Sequence, residues 1–125
     1  MDAKILYVED NPMNVKLVHR MLKFSGYDVS DADNGADGLH LANHDSPDLI
    51  LLDIDLPDMD GLDVARRIKA TPHLRHTPIV ALTAHSGPED RKAALRAGCD
   101  GYLPKPVSRS DLLRTVQHYL AYVRI

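Results

Sequence analysis

The sequence predicts an α/β fold with a parallel sheet that helices cover on both faces. Short apolar runs alternate along the chain with longer segments of helical periodicity. The apolar runs are almost continuous, as in residues 49–53, which are Leu-Ile-Leu-Leu-Asp. Continuous apolar runs indicate strands that are buried on both faces, which is typical of parallel sheets. A chain of 125 residues with 44% hydrophobic residues fits one compact domain.

Five strands are predicted from the apolar runs. The first leads into Glu9-Asp10, the third ends at Asp53, and the fifth leads into Lys105-Pro106. The predicted strands cover residues 4–8, 28–32, 48–53, 78–83 and 101–103.

Five helices are predicted, four between successive strands and one after the last. The first has Asn11 as N-cap with Pro12 after it, and Ser25-Gly26 ends it. Ser86 and Glu89 have capping-box spacing at the start of the fourth. The predicted helices cover residues 12–24, 35–43, 61–70, 86–97 and 110–122. Apolar faces are expected in the first helix from Leu17, Val18, Met21 and Leu22, and in the fifth from Leu112, Leu113, Val116, Leu120 and Val123.

Composition narrows the classes of function. The net charge is −3, from 15 basic and 18 acidic residues, which gives no electrostatic reason to bind nucleic acid or an anionic membrane. Cys99 is the single cysteine, so we expect no intrachain disulfide and a small buried side chain at this position. No apolar stretch is long enough to span a bilayer and no secretory signal begins the chain, so a cytoplasmic protein is expected.

Polar side chains stand where four of the predicted strands end: Glu9 and Asp10, Asp53, Thr83, and Lys105. Ligands of open parallel sheets bind beyond the carboxyl ends of the strands. Two carboxylates ~4 Å apart repel by about 4 kcal/mol at an effective dielectric of about 20. Three of them therefore need a cation, and oxygen ligands suit Mg²⁺ or Mn²⁺. We expect a divalent-ion site at Glu9, Asp10 and Asp53. The alternative, that these acids only cap the following helices, does not account for Glu9 together with Asp53.

A metal beside a carboxylate and a lysine indicates phosphoryl chemistry. An aspartate can form an acyl phosphate, and phosphoryl transfer depends mainly on positioning and charge neutralisation. The metal and Lys105 would supply positive charge, and Thr83 would supply a hydrogen bond.

The chain resembles the receiver domains of two-component response regulators, and within them the single-domain regulators of the cell-division type. The resemblance covers essentially all of residues 1–125, so we expect one receiver domain without an output domain. It implies a flavodoxin-like, doubly wound, five-stranded parallel sheet in the order 2-1-3-4-5 with five helices. The matching pieces are Val8-Glu9-Asp10-Asn11, residues 48–53, residues 56–61, Ala81-Leu82-Thr83-Ala84 and residues 101–106.

The resemblance also implies the chemistry. Asp53 would accept a phosphoryl group from a phosphohistidine of a sensor histidine kinase or a histidine phosphotransfer protein, and would become a 4-aspartylphosphate. Glu9, Asp10 and Asp53 would bind Mg²⁺, Asp10 directly, and Asp55 would contribute its backbone carbonyl. Lys105 would pair with the phosphoryl group. The protein would catalyse only its own phosphorylation and dephosphorylation, and is not expected to be a turnover enzyme.

The resemblance further implies a switch. Thr83 would hydrogen-bond a phosphoryl oxygen and draw its loop inward, and Tyr102 would turn inward after it. The face of the fourth helix, fifth strand and fifth helix would then bind a downstream protein. The chain itself would be a monomer or a weak phosphorylation-linked dimer. The residues expected to tune the phosphoryl lifetime are Asp55, Ala84 and His85, and the bond from Lys105 to Pro106 is expected to be cis.

Three other interpretations are weaker. Asp53-Ile54-Asp55 resembles the Asp-x-Asp of haloacid-dehalogenase-type phosphatases, but Leu56-Pro57 follows where a threonine is expected. A flavodoxin would need a Ser/Thr/Gly phosphate cradle in the first loop, which here is acidic. A pseudo-receiver that binds partners without phosphorylation would not need the acids, Thr83 and Lys105 together.

Overall fold

The computed structural model of the chain describes residues 2–85 and 87–121. Five parallel strands form one sheet in the order β2-β1-β3-β4-β5, the order that the family resemblance implies. The strands are β1 (Lys4–Val8), β2 (Asp28–Ala32), β3 (Leu49–Asp53), β4 (Ile79–Thr83) and β5 (Gly101–Pro104). The helices in the described ranges are α1 (Pro12–Phe24), α2 (Gly35–Asp45), α3 (Gly61–Ala70), α4 (Pro88–Arg96) and α5 (Arg109–Leu120), with a 3₁₀ turn at Pro72–Leu74.

The element bounds differ from the sequence prediction at several ends. Strands β3 and β4 each begin one residue later, and β5 extends through Pro104. Helix α2 continues to Asp45, because the chain leaves the helix only at Ser46, whose φ of 47° is left-handed. Helix α5 begins one residue before the predicted start, because the Ser108 hydroxyl caps it by accepting the N–H of Asp111 at 3.1 Å.

The start of α4 also differs from the prediction. The helix begins at Pro88, and Gly87 is its N-cap, with the backbone N–H of Gly87 donating to the Asp90 carboxylate at 3.3 Å. Ser86, for which a capping box was predicted, lies outside the described residues, as do Tyr122 and Val123 at the predicted end of the fifth helix.

Side chains alternate between the two faces of the sheet, because successive strand residues point in opposite directions. One face packs against α2, α3 and α4, where Leu6, Val8, Ile50, Leu52 and Ile79 are joined by Val64, Ile68 and Ala94. The other packs against α1 and α5, where Ile5, Tyr7, Leu49, Leu51 and Val80 are joined by Val18, Leu22, Leu112 and Val116. Both faces of β3 are therefore buried, as the continuous apolar run predicts.

The predicted apolar face of α1 is correct for Val18, Met21 and Leu22 and wrong for Leu17. Val18 and Leu22 are buried, and Met21 packs partly against the same cluster. Leu17 instead has 54% of its surface exposed, because it lies on the solvent side of the helix. Cys99 is buried, as expected. Within the described ranges, no helix is long and apolar enough to cross a membrane.

A polar clamp closes the amino-terminal edge of the sheet. The Lys69 ammonium at the end of α3 donates to the carbonyl of Thr77 at 2.6 Å and to the Asp100 carboxylate at 3.0 Å. The same carboxylate accepts the backbone N–H of Ile79 at 2.9 Å. Helix α3, the start of β4 and the turn before β5 are thereby held together on the side of the sheet away from the polar strand ends.

Gly61, at the start of α3, is required by a close approach of two backbone segments. A Cβ atom at this position would lie 2.5 Å from the Cα of Ile54 and 2.7 Å from the carbonyl oxygen of Asp53. Backbone atoms cannot move aside as a flexible side chain can, so a side chain here must displace the end of β3.

We expect Gly61→Ala to lower the free energy of unfolding by about 1–3 kcal/mol, the usual cost of forcing extra atoms into a packed site. Urea denaturation followed by circular dichroism measures the change. Gly87→Ala is the control, because its added Cβ would meet only the end of the Asp90 side chain at 3.2 Å. Equal effects of the two substitutions would contradict this account of Gly61.

Candidate functional site

The strand order brings the predicted site residues to one edge of the sheet. Glu9 and Asp10 follow β1, Asp53 ends β3, Thr83 ends β4, and Lys105 follows β5. Strands β1 and β3 are neighbours although they are not consecutive, so the chain reverses direction across the sheet between them. This is the position at which open parallel sheets bind ligands.

Three carboxylates converge at this edge. One oxygen each from Glu9, Asp10 and Asp53 lies within 4.8 Å of the others. Glu9 and Asp53 are each only 1% exposed, whereas Asp10 is exposed. Burying two acids side by side is costly unless positive charge or hydrogen bonds offset their repulsion.

Lys105 supplies part of that positive charge. Its ammonium nitrogen lies 2.9 Å from Oε1 of Glu9 and 2.9 Å from Oδ2 of Asp53, and so bridges the two buried acids. The peptide bond between Lys105 and Pro106 is cis.

Glu9 is held by further partners that the sequence analysis did not identify. Its Oε1 accepts hydrogen bonds from the Tyr7 hydroxyl and the Asn14 amide, both at 3.2 Å. Tyr7 lies in a buried strand and Asn14 in the first turn of α1. A polar tip inside an otherwise apolar strand is a signal for Tyr7, because a buried hydroxyl needs a partner. Asn14 gives no comparable signal before the helix is placed.

The environment separates the pKa values of the two buried acids. Burial, together with the hydrogen-bonded Glu9 carboxyl, raises the pKa of Asp53 to about 7, against the opposing effect of Lys105. Burial also disfavours the charged form of Glu9, but hydrogen bonds from Asp53, Lys105 and Asn14 outweigh it and lower the pKa of Glu9. The two acids therefore titrate as a coupled pair, and without a metal ion the proton of this pair is lost as the pH rises through about 7.

The donor set fits a divalent cation. With all groups ionised, three carboxylates and one ammonium carry a net charge of −2, which one divalent ion would balance. Glu9, Asp10 and Asp53 would hold it through oxygen atoms, the donors that Mg²⁺ prefers. When bound, such an ion would neutralise negative charge at this edge of the sheet.

Thr83 and Tyr102 contact the same backbone residue, His85. The Thr83 hydroxyl accepts the N–H of His85 at 2.9 Å, and the Tyr102 hydroxyl donates to the His85 carbonyl. Thr83 is buried and Tyr102 is half-buried. The loop after β4 is therefore bonded to Thr83 at the end of β4 and to Tyr102 in β5, and Ala84 in this loop is exposed.

Asp55 lies beside the buried acids through its backbone. Its N–H donates to Oδ1 of Asp53 at 3.0 Å, while its own side chain is exposed. The structure thus brings Glu9, Asp10, Asp53 and Lys105 into one site, with the Asp55 backbone at its border.

The comparisons with known proteins agree with this geometry. The family model of the response regulator receiver domain matches residues 5–117. Over 120 residues, the chain is 38% identical to the polar-differentiation response regulator DivK of Brucella anthropi, which covers 96% of this chain and 98% of that protein. DivK of Brucella melitensis has the same identity and coverage.

Solved structures are similar over almost the whole chain. The receiver domain of sensor histidine kinase PA1611 from Pseudomonas aeruginosa, with a magnesium ion coordinated in its active-site cleft, has a TM-score of 0.90 and 38% identity. The similarity covers 97% of this chain and 99% of that one. Chemotaxis protein CheY4 of Vibrio cholerae has a TM-score of 0.92 and 31% identity, over 96% of this chain and 100% of that one.

The raised pKa of Asp53 has a consequence for stability. Between about pH 4, near the ordinary value of 3.8, and about pH 7, the folded protein holds the Asp53 proton more tightly than the unfolded chain does. Stability from this group is complete below that window and is lost as the pH rises through it. The lowered pKa of Glu9 has the opposite effect on stability, because that contribution is lost as the pH falls. This change occurs below the ordinary Glu9 pKa of 4.5, and so outside the range from about pH 5 to pH 7.

Without metal, we expect the unfolding free energy of the wild type to fall by at least about 1 kcal/mol relative to Asp53→Asn between about pH 5 and pH 7. Urea denaturation in EDTA at several pH values measures it. Asp28→Asn, which changes an exposed aspartate on the edge strand, should keep the wild-type slope. Parallel pH profiles for the wild type and Asp53→Asn would contradict the prediction.

Proposed function

Because this chain belongs to the receiver-domain family of two-component response regulators, we propose that Asp53 is its phosphoryl acceptor. Receiver domains interact with histidine kinases and with downstream targets, and are generally not turnover enzymes. The observation that carries the proposal is the Lys105 ammonium, 2.9 Å from both buried acids, beside a cluster of three carboxylates. The acidic pocket fits a phosphoacceptor site, and the phosphatase, flavodoxin and pseudo-receiver interpretations are not favoured.

The proposed reaction moves a phosphoryl group from a histidine to an aspartate. The N–P bond of the phosphohistidine breaks as an oxygen of ionised Asp53 forms a bond to phosphorus, and the imidazole leaves. Lys105 would neutralise charge on the phosphoryl oxygens, and Thr83 would donate a hydrogen bond to one of them. Later attack of water on the acyl phosphate would restore Asp53, so the protein would catalyse only its own phosphorylation and dephosphorylation.

The residues expected to bind Mg²⁺ belong to the same proposal. Glu9, Asp10 and Asp53 would bind the ion with the backbone carbonyl of Asp55, and Mn²⁺ would fit the same oxygen donors. The side chains of Asp55, Ala84 and His85 would set how easily water reaches the phosphoryl group. The cytoplasmic location expected from the sequence is also part of the proposal.

A groove beside the site supports docking of the phosphohistidine protein there. It has a volume of about 340 Å³ and lies between α1 and the segment that joins β5 to α5. Leu17, Met21 and Val107 give it apolar walls, and Glu9 and Lys105 line its end at the site. Met13 and Leu17 are 77% and 54% exposed on the same helix, so they would extend the apolar surface offered to that protein.

We propose that Thr83 and Tyr102 transmit the effect of phosphorylation to the face formed by α4, β5 and α5. A downstream protein would bind this face, and the chain would be a monomer or a weak dimer. Thr83 can donate to a phosphoryl oxygen only if its hydroxyl turns away from the His85 carbonyl, 3.3 Å away. Because Tyr102 donates to that same carbonyl, a change in the loop changes the position of the Tyr102 ring.

Acetyl phosphate with Mg²⁺ should add one phosphate to the wild type and none to Asp53→Asn, because Asp53 is the buried aspartate that the Lys105 ammonium contacts. Intact-protein mass spectrometry measures the label. Asp28→Asn is the control, since it removes an exposed aspartate at the start of β2, at the opposite edge of the sheet, and should still take one phosphate. EDTA should abolish the label. Equal labelling of wild type and Asp53→Asn would overturn the assignment.

Beryllofluoride, a mimic of the phosphoryl group, should shift the ring signals of Tyr102 in the NMR spectrum of the wild type. We expect the shift to persist in Thr83→Ser, which keeps the hydroxyl, and to be lost in Thr83→Ala. Unchanged Tyr102 signals in the beryllofluoride-bound wild type would refute the proposed switch.

A further inference from the structure

The segment between β3 and α3, residues 54–60, carries Asp55 and is here called the acceptor loop. We infer that Asp58, at the far side of this loop, is a positioning residue for the phosphorylation site. It binds the amino terminus of α2 and thereby fixes the loop that borders Asp53. The inference rests on the proposed function, because it gives Asp58 a part in the chemistry proposed for Asp53.

The contact between Asp58 and α2 is bidentate. Its Oδ1 accepts the N–H of Gly35 at 2.7 Å and its Oδ2 accepts the N–H of Ala36 at 3.0 Å, across 23 and 22 residues of sequence. Both donors lie in the first turn of α2, where N–H groups have no partner within the helix. These two bonds hold the pKa of Asp58 below its usual range, and a carboxylate here also interacts favourably with the helix dipole.

Helix α2 also has a cap of its own, from Asn34. Asn34 therefore allows a comparison between capping of α2 and the second role of Asp58, which is to hold the acceptor loop. The side-chain oxygen of Asn34 accepts the N–H of Asp37 at 2.8 Å. Asn34 is the residue directly before the helix, so its bond is local and does not involve the acceptor loop. Asp58 adds the long-range connection that Asn34 does not make.

The next residue of the loop contacts the same helix end. A Cβ atom on Gly35 would lie 2.4 Å from Cγ of Met59, so the Met59 side chain occupies the space that the glycine leaves open. Met59 also packs against the core cluster under α2 and α3. Two consecutive loop residues, one polar and one apolar, therefore hold the loop against α2.

The loop is closed at its other end beside the acceptor. Asp55 and Asp60 form an antiparallel bridge, and the N–H of Gly61 donates to the carbonyl of Ile54 at 3.0 Å. Within this closed end, the N–H of Asp55 donates to Oδ1 of Asp53. A loop released from α2 would strain or break this bridge, and the Asp55 backbone would lose its fixed position beside Asp53.

Asp58→Ala and Asn34→Ala form a matched pair, because each removes a side-chain cap from α2 and only the first releases the loop. Both should lower the melting temperature. Only Asp58→Ala should speed amide hydrogen exchange at Asp55 and Gly61, measured by NMR without metal. It should also weaken Mg²⁺ binding, followed by NMR titration, by about tenfold, the lower end of the cost of losing outer support at a metal site.

Asp58→Asn keeps one acceptor oxygen and should lie between the wild type and Asp58→Ala in both measurements. If Asp58→Ala and Asn34→Ala change exchange at Asp55 and Mg²⁺ binding alike, Asp58 is only a helix cap and the inference is wrong. Failure of the proposed function has a different result, since the wild type would then neither bind Mg²⁺ nor take phosphate from acetyl phosphate. The exchange comparison would still decide whether Asp58 holds the loop.

Discussion

The site depends on the burial of two carboxylates against a single ammonium group. Glu9 and Asp53 are almost fully buried, and Lys105 lies 2.9 Å from each. The strand order places the ends of β1, β3 and β5 within reach of one another. Further donors help to offset the repulsion, because Tyr7 and Asn14 donate to Glu9 and the Asp55 backbone donates to Asp53. The cluster still carries an excess of negative charge, so a divalent cation or a protonated carboxyl is needed to balance it. Metal affinity and the raised pKa of Asp53 thus have one physical origin.

Much of this architecture could be predicted from the sequence, because its strongest signals are local. A buried parallel strand is a continuous apolar run, and an acid directly after it marks the ligand edge of the sheet. The strand order came from the family resemblance and is confirmed by the structure. The sequence predictions are wrong, or miss a contact, where the position of a residue depends on contacts between distant parts of the chain. Leu17 has the helical spacing of a core residue but lies beyond the reach of the sheet, and the contact of Asp58 with α2 joins segments 23 residues apart.

His85 occupies a special position between the acceptor and the outer face. Its backbone N–H is bonded by Thr83 and its carbonyl by Tyr102, so two side chains from adjacent strands hold one peptide segment. The contacts of Thr83 and Tyr102 therefore meet at one residue of the loop after β4. In the proposed switch, a phosphoryl group that competes for the Thr83 hydroxyl would act on Tyr102 through this shared residue.

The clamp between Lys69 and Asp100 makes the two edges of the sheet differ in their charge. At the amino-terminal edge of the sheet, the Lys69 ammonium and the Asp100 carboxylate pair with each other and with the backbone of Thr77 and Ile79, so the charges of this pair are balanced. At the carboxyl-terminal edge, three carboxylates stand beside one ammonium, so negative charge is in excess. The clamp thus holds β4 and β5 at the amino-terminal edge, while Thr83 and Lys105, at the carboxyl ends of these strands, lie at the edge of the proposed phosphorylation site. Substitutions in the loops at the carboxyl-terminal edge would therefore act on the proposed site without removing the contacts of the clamp at the opposite edge.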